Sequence, residues 1–209
     1  TPDIVIVATG GLPDRSFLTE GEELVTDSWE VMTGAALSGD VLVFDAMGGH
    51  AGLDATETVA ASAASVEYVT PARTVAPEVG PLTSPGYLRM FAERDVTTTL
   101  GWRLGRVTRA EGRLCAHLVH EYSSMTRTRI IDHVVVEQGT LPNDELYFDL
   151  VPHSVNRGEL DQEAFVGVRP QDIVRNPGGS FRLFRIGDAV AGRNIHAAIY
   201  DAARLCLPI

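Results

Sequence analysis

The sequence contains no lysine, only two cysteines and no long apolar run. All 17 of its basic residues are arginines, against 28 acidic residues, and the net charge is −11. So acidic a chain opposes general binding to nucleic acid or to anionic membranes, because both are polyanions. Anionic ligands must therefore be held locally, by backbone N–H groups or by individual arginines.

Cysteine is scarce, and long apolar runs are absent. Cys115 and Cys206 lie far apart without the spacing of metal ligands, so we expect no metal site and no disulfide framework. No stretch approaches the roughly 18 consecutive apolar residues of a transmembrane helix, and the N-terminus lacks the basic start of a signal peptide. We therefore expect the chain to be cytoplasmic. Its length of 209 residues predicts one large or two small domains.

The most informative stretch is VLVFDAMGGHAG, residues 41 to 52. Its apolar run predicts a buried parallel strand, and Gly48, Gly49 and Gly52 predict a tight turn into a helix, called here the glycine turn. In dinucleotide-binding proteins such a turn lets a pyrophosphate approach the backbone at the helix N-terminus. The alternative is a turn that only packs helix against sheet, and Asp45 would repel a phosphate unless it points away.

A helix over residues 53 to 64 and a strand over residues 65 to 70 complete a predicted βαβ unit. An acidic residue that binds the ribose normally follows the second strand, but here the chain reads Thr70-Pro71-Ala72-Arg73. Arg73 could instead meet a 2′-phosphate. The alternative is a solvated loop arginine.

The pattern changes after a predicted helix at 87 to 94, whose inward residues are expected to be Leu88, Phe91 and Ala92, and a strand at 96 to 100. Segments 103 to 109, 113 to 122 and 127 to 137 predict a three-stranded antiparallel meander. Two related turns bracket this region, ATGGLP at 8 to 13 and EQGTLP at 137 to 142. Such an echo suggests two nucleotide-binding domains, one inserted in the other.

Near the C-terminus a predicted strand ends at Gly187-Asp188, and a helix follows from about Ile195. A carboxylate at the end of a parallel strand, facing a helix N-terminus, can accept hydrogen bonds from a sugar or ribityl hydroxyl. A Gly-Asp pair is also common as a turn with a helix cap, so both interpretations stay open.

The order of these features resembles the C-terminal part of the large NADH:flavin oxidoreductases of the trimethylamine dehydrogenase and 2,4-dienoyl-CoA reductase type. It looks closest to their N-methylproline demethylase-like and histamine dehydrogenase-like members. The motifs concerned are ATG at 8 to 10, the glycine turn, EQGTLP, RIGDA at 185 to 189 and RNIHAAIYDA at 193 to 202. The resemblance covers essentially the whole chain and implies FAD or ADP in one dinucleotide domain and NAD(P) in the other. FMN and an iron–sulfur cluster would belong only to an N-terminal barrel missing from this chain.

The resemblance also implies roles for individual residues. Gly187 and Asp188 would touch the flavin ribityl and pyrophosphate, and Ile195, His196 and Ala197 would begin the helix aimed at that cofactor. The glycine turn would be the second nucleotide site. The expected partners are an adenine dinucleotide, the missing barrel and, through exposed apolar surface, a second copy of the chain.

We therefore predict an α/β fold, a Rossmann-like three-layer NAD(P)/FAD-binding domain with a parallel sheet and a three-stranded antiparallel meander, flanked by part of a second dinucleotide-binding sheet. Residues 1–37 would be a remnant of an FAD-type domain and a crossover, 38–140 the NAD(P)/ADP-binding-like domain, and 141–209 the C-terminal part of the FAD-type domain. The expected function is nucleotide binding within a flavin-dependent amine dehydrogenase, demethylase or NADH:flavin oxidoreductase, without catalytic residues of its own. The alternative is a structural or interaction module with degenerate nucleotide sites.

Overall fold

The computed structural model describes residues 2–208, which fold as two compact units. The first unit combines the two ends of the chain, up to Leu12 and from Thr140, and the second is Pro13–Gly139. The predicted domain limits differ from these units over residues 13 to 37, which lie with the second unit, and at Thr140, which lies with the first. Strands and helices are labelled β1 to β12 and α1 to α6 in chain order.

The second unit is built on a five-stranded parallel sheet, ordered β3-β10-β4-β5-β6. Its long apolar strands follow from continuous runs of β-branched and aromatic residues, which suit strands buried on both faces. The strands are β3 (Thr26–Asp27), β10 (His133–Glu137), β4 (Asp40–Asp45), β5 (Ser65–Thr70) and β6 (Thr97–Leu100).

Helices cover one face of this sheet and an antiparallel sheet covers the other. On β4, Val41 and Val43 pack into a core with the helices, whereas Leu42 and Phe44 pack into a core with the meander. This alternation follows from the two-residue period of a strand, and it confirms the predicted three-layer arrangement. The helices are α1 (Ser28–Met32), α2 (His50–Ala60) and α3 (Ser84–Glu93), and the meander strands are β7 (Trp102–Ala110), β8 (Arg113–His120) and β9 (Thr126–Ile131).

Two local predictions for this unit were wrong. Residues 127 to 137 were expected to form one meander strand, but the chain breaks at Asp132 and β10 instead pairs in parallel with β3 and β4. In α3, Leu88 is 51% exposed and Ala92 is also exposed, whereas Phe91 is buried as expected.

The first unit has a parallel pair of strands, β1 (Ile4–Val7) and β12 (Arg182–Arg185), in register from Ile4 with Arg182 to Val7 with Arg185. A small core of Val7, Tyr147, Leu183 and Ala189 holds its elements together. Its α-helices are α4 (Glu145–Leu150), α5 (Gln162–Val166) and α6 (Ile195–Cys206).

The echoed turns of the sequence pair with each other. Strand β2 (Gly11–Pro13) lies beside β11 (Thr140–Pro142), and the glycine before each, Gly10 and Gly139, has a positive φ of 74° and 79°. Glycine adopts that left-handed backbone conformation more readily than other residues do, so the repeated Gly-x-Leu-Pro pattern corresponds to a repeated local geometry.

Candidate functional site

A cavity of about 380 Å³ opens in the first unit, beside the ends of β1 and β12 and the N-terminus of α6. This volume is at the lower end of the range of about 300–1,000 Å³ found for small-molecule sites. The lining residues are Ala8, Gly10, Ile186, Gly187, Asp188, Arg193, Asn194, Ile195 and Ala198. Carboxyl ends of parallel strands facing a helix N-terminus are the usual location of a dinucleotide phosphate.

Gly187 lies close to α6 at the border of the cavity. Its φ is +62°, and a Cβ there would lie 3.2 Å from the Cβ of Ala198. The Gly187 N–H donates a hydrogen bond to Oδ2 of Asp201 at 3.1 Å, and Asp201 also forms an ion pair with Arg193. Asp201 is only 8% exposed, so a buried carboxylate on α6 fixes the turn that borders the cavity.

Asp188 faces the loop that leads into α6. Its Oδ1 accepts a hydrogen bond from the backbone N–H of Arg193 at 3.2 Å. Asn194 then caps the helix, because its side-chain oxygen accepts from the Ala197 N–H at 3.0 Å. A capped helix of this length presents the positive end of its dipole beside the cavity, where an anionic ligand group is stabilised.

The cavity therefore brings together three of the residues predicted for this cofactor, Gly187, Asp188 and Ile195. His196 is exposed on α6, and Ala197 contributes its N–H to the helix cap. Arg193 and Asn194 also line the cavity but were not predicted from the sequence, although an asparagine before an apolar helix is itself a capping signal. The role of Asp201 has no such local signal, because it depends on the approach of α6 to the Gly187 turn.

In the second unit, the glycine turn meets the side chain of Asp45. Asp45 is completely buried, and its Oδ1 accepts hydrogen bonds from the N–H groups of Met47 at 2.9 Å and Gly48 at 2.8 Å. Its Oδ2 accepts from the Tyr68 hydroxyl at 2.7 Å. Burial raises the pKa of Asp45 and Glu137 adds to the rise, while these three hydrogen bonds favour the ionised form and oppose it.

The three glycines of this turn have different surroundings. A Cβ on Gly52 would lie 2.3 Å from Cγ of Asp45, and one on Gly48 would lie 2.5 Å from Cδ of Pro77. A Cβ on Gly49 would meet no atom within 4 Å.

Arg73 lies on the surface of the second unit against Tyr122. Its Nε donates to the Tyr122 hydroxyl at 3.3 Å, and its guanidinium carbon is 5.5 Å from the centre of that ring. This pairing accounts for its position without a ligand, and binding of a 2′-phosphate stays a prediction.

Neither a membrane-spanning helix nor a metal-binding cluster occurs among the described residues. Across residues 2–208, no helix is long and apolar enough to cross a membrane. The same residues contain no cluster of three or more histidine, cysteine, aspartate or glutamate side chains placed to hold a metal ion.

Known proteins are similar in sequence to this chain over nearly its whole length. It is 48% identical over 206 residues to a probable N-methylproline demethylase of Rhizobium meliloti, a match covering 98% of this chain and 30% of that protein. It is 39% identical over 217 residues to an N,N-dimethylglycine/sarcosine dehydrogenase of Chromohalobacter salexigens, covering 98% of this chain and 31% of that protein. No protein-family model matches the chain.

Solved structures share the fold. A 6-hydroxypseudooxynicotine amine oxidase of Pseudomonas geniculata superposes with a TM-score of 0.76 at 21% identity, over 99% of this chain and 29% of that one. A thioredoxin reductase of Lactococcus lactis superposes with a TM-score of 0.65 at 18% identity, over 96% of this chain and 63% of that one. The predicted fold class is thereby confirmed.

The chain spans about 30% of the length of the curated relatives it matches. The predicted resemblance to N-methylproline demethylase-like flavin oxidoreductases is confirmed, since relatives and solved neighbours are demethylases, dehydrogenases and amine oxidases. This chain is thus homologous, over nearly all of its residues, to one region of a group of flavin-dependent oxidoreductases.

Proposed function

We propose that this chain is the nucleotide-binding region of a flavin-dependent oxidoreductase, and that its first unit holds an adenine dinucleotide or ADP. The observation that carries the proposal is the cavity in which the Gly187 turn meets the capped N-terminus of α6. Flavin and nicotinamide cofactors supply the redox chemistry in such enzymes, and the protein supplies binding and orientation.

Residues of the first unit fit part of such a ligand. The N-terminus of α6 favours a phosphate, because its first N–H groups carry partial positive charge. Gly187 and Asp188 both line the cavity, and the Asp188 carboxylate can accept hydrogen bonds from ribose or ribityl hydroxyls. At about 380 Å³ the cavity suits one part of a dinucleotide, such as the ribityl and pyrophosphate groups.

The activity of the whole protein is proposed from its relatives. A demethylase of N-methylproline and a dehydrogenase of N,N-dimethylglycine and sarcosine share an N-methylated amino acid as substrate. We propose that the protein containing this region oxidises such a secondary or tertiary amine at its N-methyl group. FMN and an iron–sulfur cluster would then lie on a barrel domain outside this chain, and the NAD(P)-binding role of the second unit stays a proposal.

The test of nucleotide binding is a pair of titrations of the 209-residue chain, with FAD followed by flavin fluorescence and with ADP followed by calorimetry. The variant is Ile195→Glu. Ile195 is 71% exposed at the first position of α6, so a carboxylate there suits the helix dipole while repelling a ligand phosphate. We expect affinity for both ligands to fall about tenfold, or about 1.4 kcal/mol.

The matched control is Leu82→Glu, which adds the same charge at a side chain that is 97% exposed in the second unit. It should leave both affinities unchanged. Equal affinity of the wild type and Ile195→Glu, or no binding by the wild type, would contradict the proposal.

The alternative, a structural or interaction module, also has an observation in its favour. Ile195 and Ile199 follow one another on a face of α6 and are 71% and 60% exposed, and Tyr200 beside them is 60% exposed. Neighbouring exposed apolar side chains of this size mark a contact surface. We propose that another domain of the longer protein covers it, and that a homodimer is the competing occupant, which analytical ultracentrifugation of this chain distinguishes.

A further inference from the structure

We infer that the glycine turn of the second unit is filled by the protein's own groups, with the Asp45 carboxylate in the place of a ligand phosphate. A dinucleotide therefore has no pyrophosphate site there, and this region binds its nucleotide in the first unit. Only the last clause rests on the proposed function.

Asp45 has the contacts that a bound anion would have. On β4 it follows Val41 and Val43 at two-residue intervals, so its side chain points to the face covered by α2. There it takes the N–H groups of Met47 and Gly48, at 2.9 and 2.8 Å. Backbone N–H groups between a strand and a helix help to hold a phosphate in a dinucleotide site. Two of those in this turn already bind the Asp45 carboxylate.

The Asp45 carboxylate, and not a ligand, accounts for the need for glycine at position 52. It lies in the first turn of α2, and a Cβ there would lie 2.3 Å from Cγ and 2.4 Å from Oδ2 of Asp45. The third glycine of a dinucleotide fingerprint allows helix and strand to pack closely. Gly52 does this for a strand that ends in aspartate.

The loop that follows β5 covers the turn from outside. Its Pro77 lies where a Cβ of Gly48 would point, and the Glu78 N–H donates to the Gly48 carbonyl at 3.1 Å. Ala76 and Val79 anchor the loop, since both are buried in the core shared with the helices. Packed residues of this loop thus occupy the space through which a ligand would approach the Gly48 backbone.

The charge at this edge of the sheet also opposes a pyrophosphate. Glu137 ends β10 directly beside Asp45 at the end of β4 and is 8% exposed. Its carboxylate accepts hydrogen bonds from the Ser28 hydroxyl and the Gly139 N–H. Among the salt bridges of residues 2–208, none involves either carboxylate. An added phosphate would meet two neighbouring acidic groups without a cation to offset them.

Gly49 gives the test, because it is the one glycine of the motif that can change without disturbing the fold. It is the N-cap of α2, with φ −100° and ψ −168° and without a side-chain cap, and a Cβ there would meet no atom within 4 Å. Gly49→Asp places a favoured capping residue in that position and would repel any phosphate at the turn. Gly49→Ala adds only the methyl group, so it separates bulk from charge.

The experiment titrates the 209-residue chain with ADP, NAD⁺ and NADP⁺ by calorimetry, for the wild type, the two Gly49 variants and Ile195→Glu. We expect both Gly49 variants to bind each nucleotide within twofold of the wild type, while Ile195→Glu weakens binding about tenfold. A loss of about tenfold or more for any nucleotide in Gly49→Asp, with Ile195→Glu unchanged, would overturn the inference. Absence of nucleotide binding by the wild type would contradict the proposed function, and it would agree with the inference that the glycine turn binds no nucleotide.

Discussion

Replacing Gly52 with alanine tests whether Asp45 fills the glycine turn. Alanine in a helix is ordinarily more stable than glycine by about 0.5–1 kcal/mol. Here the new Cβ would lie 2.3 Å from Cγ of Asp45, and the carboxylate cannot move without losing the N–H groups of Met47 and Gly48 and the Tyr68 hydroxyl. Overpacking costs about 1–3 kcal/mol and a hydrogen bond to a charged group about 1.5–3. We expect Gly52→Ala to destabilise the chain by about 2–4 kcal/mol.

The assay is urea unfolding of the wild type, Gly52→Ala, Asp45→Ala and the double variant. Asp45→Ala alone should be less stable than the wild type, because it leaves buried donors without an acceptor. In that background the clash is gone, so Gly52→Ala should be neutral or stabilising, and the coupling energy should be at least the whole wild-type cost of about 2–4 kcal/mol. An equal cost of Gly52→Ala in both backgrounds, or a more stable single variant, would refute the role given to Asp45.

Two further predictions concern the same two turns. Asp45→Asn keeps the shape and an acceptor for both amides but cannot ionise. Because burial raises the pKa of Asp45 above its unfolded value of about 3.9, wild-type stability should fall as the pH rises from about 4 through the folded pKa. Urea unfolding should therefore show the stability of Asp45→Asn, relative to the wild type, increasing over that same rise in pH. A pH-independent difference would contradict this. Gly187→Ala, at φ +62° and with its Cβ 3.2 Å from that of Ala198, should cost about 1–2 kcal/mol in urea unfolding and weaken FAD binding. Gly178→Ala, where a Cβ would only touch Asn176 at 3.6 Å, is the control, and an equal cost for both would argue against strain at Gly187.

Local pattern was enough to predict much of the fold. The strand at 65 to 70 has the predicted limits, because its β-branched and aromatic residues favour a strand over a helix. Helix α6 begins at Ile195 as predicted, directly after an asparagine that caps it. Both features depend on residues adjacent in sequence, so the sequence alone is enough to predict them.

Features that depend on distant partners were not predictable. The run Val134 to Val136 suits a buried strand anywhere, and only pairing with β3 and β4 takes it out of the meander. In α3, spacing alone did not show which apolar side chains face the sheet, and Leu88 is on the outer side. The sequence raised the question whether Asp45 points away from the turn; only the structure shows it bonded to the turn's own N–H groups.

Chemical-shift mapping of the ¹⁵N-labelled chain, titrated with ADP and with FAD, locates the nucleotide site directly. We expect the amide signals of Gly187, Asp188 and the start of α6 to move with ligand while those of Gly48 and Gly49 stay in place. Movement of the Gly48 and Gly49 signals with those of Gly187 unchanged would contradict it, since the nucleotide would then lie on the turn assigned to Asp45.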